Sequence, residues 1–180
     1  MVLWDRIRFR PVVQQQVDGG NDRRKRTGCH HFRTGCQSWL ISRQKGFSTE
    51  IKESFPGIEV VDTRYSYDDE WVASKIVEEL LELYPELTGI YITGHGVKGV
   101  CQTLQKLGKD KTMHVIANDF LEENLKWLKE GTINFLIGQD AAVQGHSPVT
   151  ILFQLLFDSK KPEKEFQYTD IVIRTRYNMG

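Results

Sequence analysis

The segment GHGVKG, residues 94–99, has the residue types and spacing of a phosphate-binding turn. Its glycines fall in the order GxGxxG, directly after an apolar run that ends at Thr93 and before a helical pattern. In dinucleotide-binding folds such glycines permit a tight turn, a close approach of phosphate and close helix–strand packing. Asp119 lies 25 residues after Gly94, near the place of an acidic residue that binds ribose. Three interpretations stay open here: nucleotide binding, glycines that serve packing alone, or a small polar ligand.

A second group with metal-binding residue types is formed by Cys29, His30, His31 and Cys36. The spacing of its two cysteines matches no common zinc site, so we interpret the group as an incidental loop. Elsewhere no nucleophile stands beside a positioned base, and no pair of carboxylates has a spacing that indicates hydrolysis. The residues alone therefore give no constellation that indicates catalysis.

Helical and strand patterns alternate from residue 42 to the end of the chain. An α/β fold with a parallel sheet covered on both faces is the architecture that this alternation favours. Pro148 is expected to kink the long apolar helix or to begin a second segment. The predicted elements are helix 42–55, strand 58–65, helix 67–85, strand 89–93, helix 97–107, strand 113–118, helix 120–130, strand 132–137, helix 140–157 and strand 168–175.

The carboxyl ends of parallel strands meet along one edge of the sheet, where ligands bind in open α/β folds. The residues that follow the predicted strands are therefore the ones in which a binding site is expected. They are residues 63–67, 93–97, 118–121 and 138–142.

Residues 1–41 lack a sustained period and are predicted to be irregular, apart from a short strand at Ile7–Val13 that Pro11 interrupts. The chain has 24 basic and 24 acidic residues, but residues 1–45 hold ten of the former and three of the latter. This charge asymmetry predicts a junction near residue 40. We therefore expect a non-homologous or frame-shifted segment at 1–41 and one α/β lobe at 42–180.

No apolar run approaches the roughly 18 residues of a membrane helix, so no membrane contact is expected. The start of the chain carries arginines where a signal peptide needs apolar residues, and three cysteines leave at least one thiol unpaired. Both features favour a cytoplasmic location.

Four motifs in chain order make residues 43–180 resemble a known family. Arg43-Gln44-Lys45-Gly46-Phe47 is similar to its R-x-x-G-F helix start, and YITGHGVKGVCQTLQKLG is similar to its second strand–helix motif. VIANDF is similar to a V-x-G-[FY]-D turn, and INFLIGQDAAVQG to T-x-x-Q-[DP]-x-x-x-x-G. The family is the type-1 periplasmic sugar-binding fold, in ribose-type binding proteins and in effector domains of the lac/galactose repressor family.

The resemblance implies a binding protein that is not an enzyme and uses no cofactor. Its Rossmann-like lobe is expected to close on a sugar-like small molecule, with the first lobe mostly missing. The resemblance also implies that Arg43 and Asp119 bind hydroxyl groups and that Gln139 lies at the hinge. Thr93 and Gly94 replace the asparagine and aspartate of the second motif, so we expect the Thr93 hydroxyl or the His95 imidazole to contribute instead. Guanidinium, carboxylate and carboxamide groups suit a dense array of hydroxyls. The aromatic candidates for stacking on a sugar are Tyr65, Tyr67 and Phe120.

We therefore expect a truncated effector-binding domain of a lac-repressor-type transcription regulator. Intact relatives are expected to be homodimers that contact DNA through a headpiece absent here. One alternative is a fragment of a periplasmic-type sugar-binding protein, and another is a nucleotide-dependent oxidoreductase fragment that uses GHGVKG. Loss of the first lobe would leave part of the apolar face of helix 140–157 without a partner. We therefore expect either an exposed apolar patch, which favours association, or a helix folded back onto the remaining lobe.

Overall fold

The computed structural model describes residues 8–12, 30–164 and 167–179, with the backbone alone for residues 8–12 and 30–39. Within these residues the chain forms a six-stranded sheet and five helices. The predicted order of elements from residue 42 onward is confirmed. The elements are β1 (Arg8–Val12), α1 (His30–Ser54), β2 (Glu59–Val60), α2 (Glu70–Leu83), β3 (Gly89–Ile92), α3 (Val97–Lys106), β4 (His114–Asn118), α4 (Glu122–Glu130), β5 (Phe135–Gln139), α5 (Ala141–Phe157) and β6 (Ile171–Arg174).

The strands lie in the order β2-β1-β3-β4-β5-β6, and β1 to β5 are parallel. The sixth strand is antiparallel to β5, with Gln139 opposite Ile171, so the prediction of a wholly parallel sheet was wrong for this strand. A parallel βαβ unit needs its helix to pack on the sheet. No residue of α5 is buried, so β5, α5 and β6 do not form such a unit.

The N-terminal part of the chain contributes to the same sheet. The predicted strand at Ile7–Val13 is present as β1, and it lies between β2 and β3. Helix α1 begins at His30 and runs without a break through the predicted boundary at residue 42. The predicted strand is thus confirmed as β1, whereas the expectation of irregular structure was wrong for residues 30–41, which belong to α1. Backbone pairing with β2 on one side and β3 on the other holds β1 in the sheet.

The larger core lies between the sheet and α2, α3 and α4. Its largest fully buried side chains are Leu80, Ile90, Ile92, Leu104, Leu128, Ile133, Leu136, Val77 and Val100. Each such side chain stabilises the fold by about 1.5–3 kcal/mol through the area that it removes from water. The opposite face carries a smaller cluster of Ile51 and Ile58 with Phe47, through which α1 packs on the sheet.

The ends of the helices have clear chemical causes. At the starts of α2 and α5, the carboxylates of Asp69 and Asp140 accept hydrogen bonds from the backbone N–H groups of Val72 and Val143, respectively. Gly131 ends α4 with a φ of 79°, a left-handed conformation that suits glycine. Pro148 lies inside α5, which continues from Ala141 to Phe157, so the proline starts no second segment.

Of the two expectations for helix 140–157, the exposed apolar patch is confirmed in α5. Val149, Leu152, Phe153, Leu156 and Phe157 are all more than half exposed. On the neighbouring strand β6, Ile171 and Ile173 are also exposed, at 69% and 53%. The expectation that helices cover both faces of the sheet is therefore wrong for β6. Among the described residues, no helix is both long and apolar enough to cross a membrane.

Candidate functional site

Arg43 brings α1 to the carboxyl ends of β3 and β4. Its Nη1 donates a hydrogen bond to the Thr93 carbonyl at 2.8 Å, and its Nη2 lies 3.3 Å from Oδ1 of Asp119. One turn later, the Phe47 ring packs on the Tyr91 ring with 4.5 Å between centroids. This contact fixes α1 on β3, so the arginine is held at the sheet edge by a partly buried neighbour on its own helix.

Asp119 is held by its backbone in a conformation that few residues adopt. Its φ is 72°, in the left-handed region that aspartate and asparagine tolerate better than most side chains. Its N–H donates to the Ile137 carbonyl at 2.7 Å, and Nδ2 of Asn124 donates to the Asp119 carbonyl at 3.0 Å. The same Asn124 amide reaches the Asn118 carbonyl at 3.2 Å. The β4–α4 turn therefore sets the direction of the carboxylate before any ligand arrives.

Gln139 lies at the end of β5 and completes a cleft beside the arginine and the aspartate. Among the described residues, the cleft is lined by Ser42, Arg43, Asp119 and Gln139 and has a volume of about 630 Å³. Oε1 of Gln139 accepts a hydrogen bond from Gln144 on α5, whose Nε2 also lies 3.2 Å from the Thr169 hydroxyl. The structure thus places guanidinium, carboxylate and carboxamide groups around one opening of a size usual for small-molecule sites.

Five other residues proposed from the sequence do not line this cleft, and His95, one of them, lies in a neighbouring recess. Thr93 is fully buried, and its backbone carbonyl rather than its hydroxyl takes part by accepting from Arg43. Tyr65 and Tyr67 precede α2 and lie outside the lining. The Phe120 ring packs against Gly138 and lies under the Arg174 guanidinium at 4.6 Å. The protein itself thus contacts this ring through Arg174, and stacking of the ring on a ligand stays a prediction.

His95 lies in a smaller recess of about 100 Å³ that shares Asp119 with the cleft. The imidazole is exposed, and Glu70 and Lys98 also line the recess. Lys98 is 3.4 Å from the Glu123 carboxylate, on the other side of the β4–α4 turn. His95 is therefore a neighbour of the cleft rather than part of its lining.

The glycines of GHGVKG serve packing. Gly96 has a φ of 91°, and a Cβ there would lie 3.0 Å from Cβ of Ala73. A Cβ on Gly99 would lie 2.0 Å from the Glu70 carbonyl oxygen, because the starts of α2 and α3 are in direct contact. The Glu70 carboxylate also accepts the Gly99 N–H at 2.5 Å, which occupies the helix start that a phosphate would need. This geometry disfavours the nucleotide alternative.

The group of Cys29, His30, His31 and Cys36 lies outside the residues whose side chains are described. Within the side chains that are described, no three His, Cys, Asp or Glu residues come together as ligands for a metal ion. Two positions that the sequence did not single out matter for the cleft, namely Ser42 in its lining and Asn124 beneath Asp119. In the sequence, Asn124 shares a helical face with Leu121 and Leu128, and a polar residue at such a position is the signal that could have indicated it.

Residues 37–161 match the family model described as periplasmic binding protein domain. The match covers more than half of the chain, and the chain belongs to this family. A comparison with curated proteins gives no match.

Solved structures share the fold at low sequence identity. An ABC transporter solute-binding protein from Agrobacterium vitis, bound with α-D-tagatopyranose, is 20% identical, and its structure matches with a TM-score of 0.75. The matched region covers 97% of this chain and 51% of that protein. A carbohydrate transporter solute-binding protein from Agrobacterium radiobacter, in complex with D-arabinose, is 20% identical with a TM-score of 0.73, covering 96% and 52%. GanP, a glucose-galactose binding protein from Geobacillus stearothermophilus, is 16% identical with a TM-score of 0.74, covering 97% and 55%. The chain thus spans about half the length of these proteins.

Proposed function

We propose that the chain binds a neutral monosaccharide in the cleft formed by Arg43, Asp119 and Gln139. The observation that carries the proposal is the 3.3 Å contact between Arg43 and Asp119, which joins α1 to the end of β4 beside Gln139. Fixed donors and acceptors of this kind match a ligand rich in hydroxyl groups, because each hydroxyl both donates and accepts.

The charge balance of the cleft supports a neutral ligand. The arginine and the aspartate offset one another, and Gln139 and Ser42 carry no charge. Glu70 lines the adjoining recess, and its carboxylate already accepts the backbone N–H of Gly99. An acidic sugar or a sugar phosphate would therefore meet an acidic side chain with no unpaired cation among the described lining residues to offset it.

Transport-type sugar binding is the function that we place first. Two of the solved structures are transporter solute-binding proteins, and the third is a glucose-galactose binding protein. The expectation of a lac-repressor-type regulator gains no support from these matches. Dimer formation, DNA contact and cytoplasmic location stay predictions from the sequence.

The test is calorimetric titration of the chain with D-arabinose, D-fucose, D-tagatose, D-galactose and, for comparison, D-galacturonate and NAD⁺. Binding of a neutral sugar with no binding of galacturonate or NAD⁺ is expected. Asp119→Asn and Arg43→Gln should each weaken that binding about 10- to 100-fold, since a hydrogen bond to a charged group contributes about 1.5–3 kcal/mol.

The matched control is Lys75→Gln, which removes an exposed ion pair with Glu78 on α2 and touches no residue of the cleft. It should leave sugar binding unchanged. Tighter binding of NAD⁺ than of any sugar, or equal losses in the control and the two cleft variants, would refute the proposal.

A further inference from the structure

Phe120 links the aspartate of the cleft to the two strands at the edge of the sheet. It follows Asp119 directly and lies against Gly138 of β5. A Cβ at position 138 would lie 2.6–2.7 Å from three carbons of the ring, which is closer than non-bonded carbons can approach. On β6, the guanidinium of Arg174 lies 4.6 Å from the ring centroid, within the range of a cation–π contact.

The strand that receives Phe120 is also the strand that holds Asp119. Ile137, next to Gly138, accepts the Asp119 N–H at 2.7 Å, and Gln139, on the other side of Gly138, lines the cleft. A ring pushed away from Gly138 would pull on a residue whose φ of 72° needs support from its surroundings. The direction of the Asp119 carboxylate therefore depends on the position of the Phe120 ring.

We infer that Gly138 and Arg174 are positioning residues of the cleft, which seat Phe120 on β5 and so hold the Asp119 carboxylate at Arg43. Gly138 provides the space and Arg174 covers the ring from β6. Since Arg174 belongs to β6, a shift of that strand would move the Phe120 ring and, with it, the neighbouring Asp119 of the cleft. The inference rests on the proposed function for its consequence in sugar binding, but the positioning itself is measurable without a ligand.

The experiment measures amide hydrogen exchange by NMR in the ligand-free chain, followed by titration with D-arabinose. The variants are Gly138→Ala, Gly138→Ala with Phe120→Leu, and Arg174→Met. Leucine lacks two of the three ring carbons nearest the new Cβ, so the double variant should make room for it. The controls are Gly145→Ala, where nothing lies within 4 Å, and Arg176→Met, which removes a cation–π contact of equal length to Tyr177.

In Gly138→Ala we expect the Asp119 amide to exchange at least tenfold faster while amides of α3 keep their rates. The double variant should recover most of this protection, and Arg174→Met should show a smaller loss that Arg176→Met lacks. If the native chain binds D-arabinose, the dissociation constants of the variants should rise in the same order as their losses of Asp119 protection.

The inference is overturned if Asp119 exchanges at the native rate in Gly138→Ala. It is equally overturned if α3 loses protection to the same extent, or if the double variant is no better than the single one. Loss and recovery of Asp119 protection in a chain that binds no sugar would support the positioning and refute the proposed function.

Discussion

Gly99 and Gly46 are both helical glycines, but their surroundings are opposite. A Cβ on Gly99 would lie 2.0 Å from the Glu70 carbonyl oxygen, whereas nothing lies within 4 Å of one on Gly46. We expect Gly99→Ala to lower the free energy of unfolding by about 1–3 kcal/mol, because α3 must move away from α2. Gly46→Ala should raise it by about 0.5–1 kcal/mol, because alanine loses less backbone freedom on folding. Urea unfolding of both variants measures the difference, and equal effects would contradict this account of GHGVKG.

Cys101 is a buried thiol without exposed surface. Burial, and after it the charge of Glu70, raises the pKa of this thiol well above its ordinary value of 9.0. The reactive thiolate is therefore scarce at pH 8, and reagents must also wait for the core to open. In a chain with Cys29→Ser and Cys36→Ser, we expect Ellman's reagent to label Cys101 at the rate of unfolding. Rapid labelling of the folded chain at pH 8 would contradict this.

The pKa shift of Cys101 also has a consequence for stability. Because the pKa is higher in the folded state than in the unfolded state, the unfolded chain releases its thiol proton first as pH rises. The contribution of the Cys101 thiol to the free energy of unfolding is therefore constant below about pH 9 and is lost progressively as the pH rises above it. Cys101→Ala should remove this part of the alkaline loss of stability.

Residue types and spacing were enough to select Arg43, Asp119 and Gln139, which the fold brings to one cleft. They could not show which atom of Thr93 takes part, since its carbonyl does so and its hydroxyl is buried. They also could not separate a ring that stacks on a ligand from one that packs on the protein, as Phe120 does. Such distinctions depend on neighbours that come from other parts of the chain.

At the level of elements, the sequence located helices with a clear apolar stripe and strands that are buried. It missed the first 12 residues of α1 and the direction of β6, because neither leaves a local periodic signal. The strand predicted at 132–137 lies at Phe135–Gln139. Gln139 is consequently the last residue of a strand, where backbone pairing with Ile171 fixes its position.

Helix α5 differs from the other helices in its burial. None of its residues is buried, and Pro148 removes one backbone donor from its middle. Local opening of such a helix exposes little further apolar surface and therefore costs little. We expect amides of α5 to exchange with deuterium at least tenfold faster than those of α3, which buries six residues. Mass spectrometry of peptic peptides measures both helices in one sample, and equal protection would contradict the expectation.

In the whole molecule, the exposed apolar residues of α5 and β6 are concentrated in one part of the surface. They flank a groove of about 870 Å³ lined by residues such as Ile151, Leu155 and Ile171. Single exposed apolar side chains are usual, but a contiguous set of this kind favours contact with other apolar surface. The polar cleft lies beside this groove, and Gln139 lines both.

We therefore expect the chain to associate reversibly in a concentration-dependent manner. Leu156→Lys with Phe157→Lys should shift it toward the monomer, because both side chains are at least 67% exposed and a charge there opposes apolar contact. The change should alter the free energy of unfolding by no more than about 0.5 kcal/mol per site, as is usual for surface substitutions. Trp71→Lys is the matched control, since Trp71 is 68% exposed on α2, outside the groove. Sedimentation velocity over a hundredfold concentration range distinguishes the outcomes: a native monomer throughout, or an equal effect of the control, would mean that this surface does not drive association.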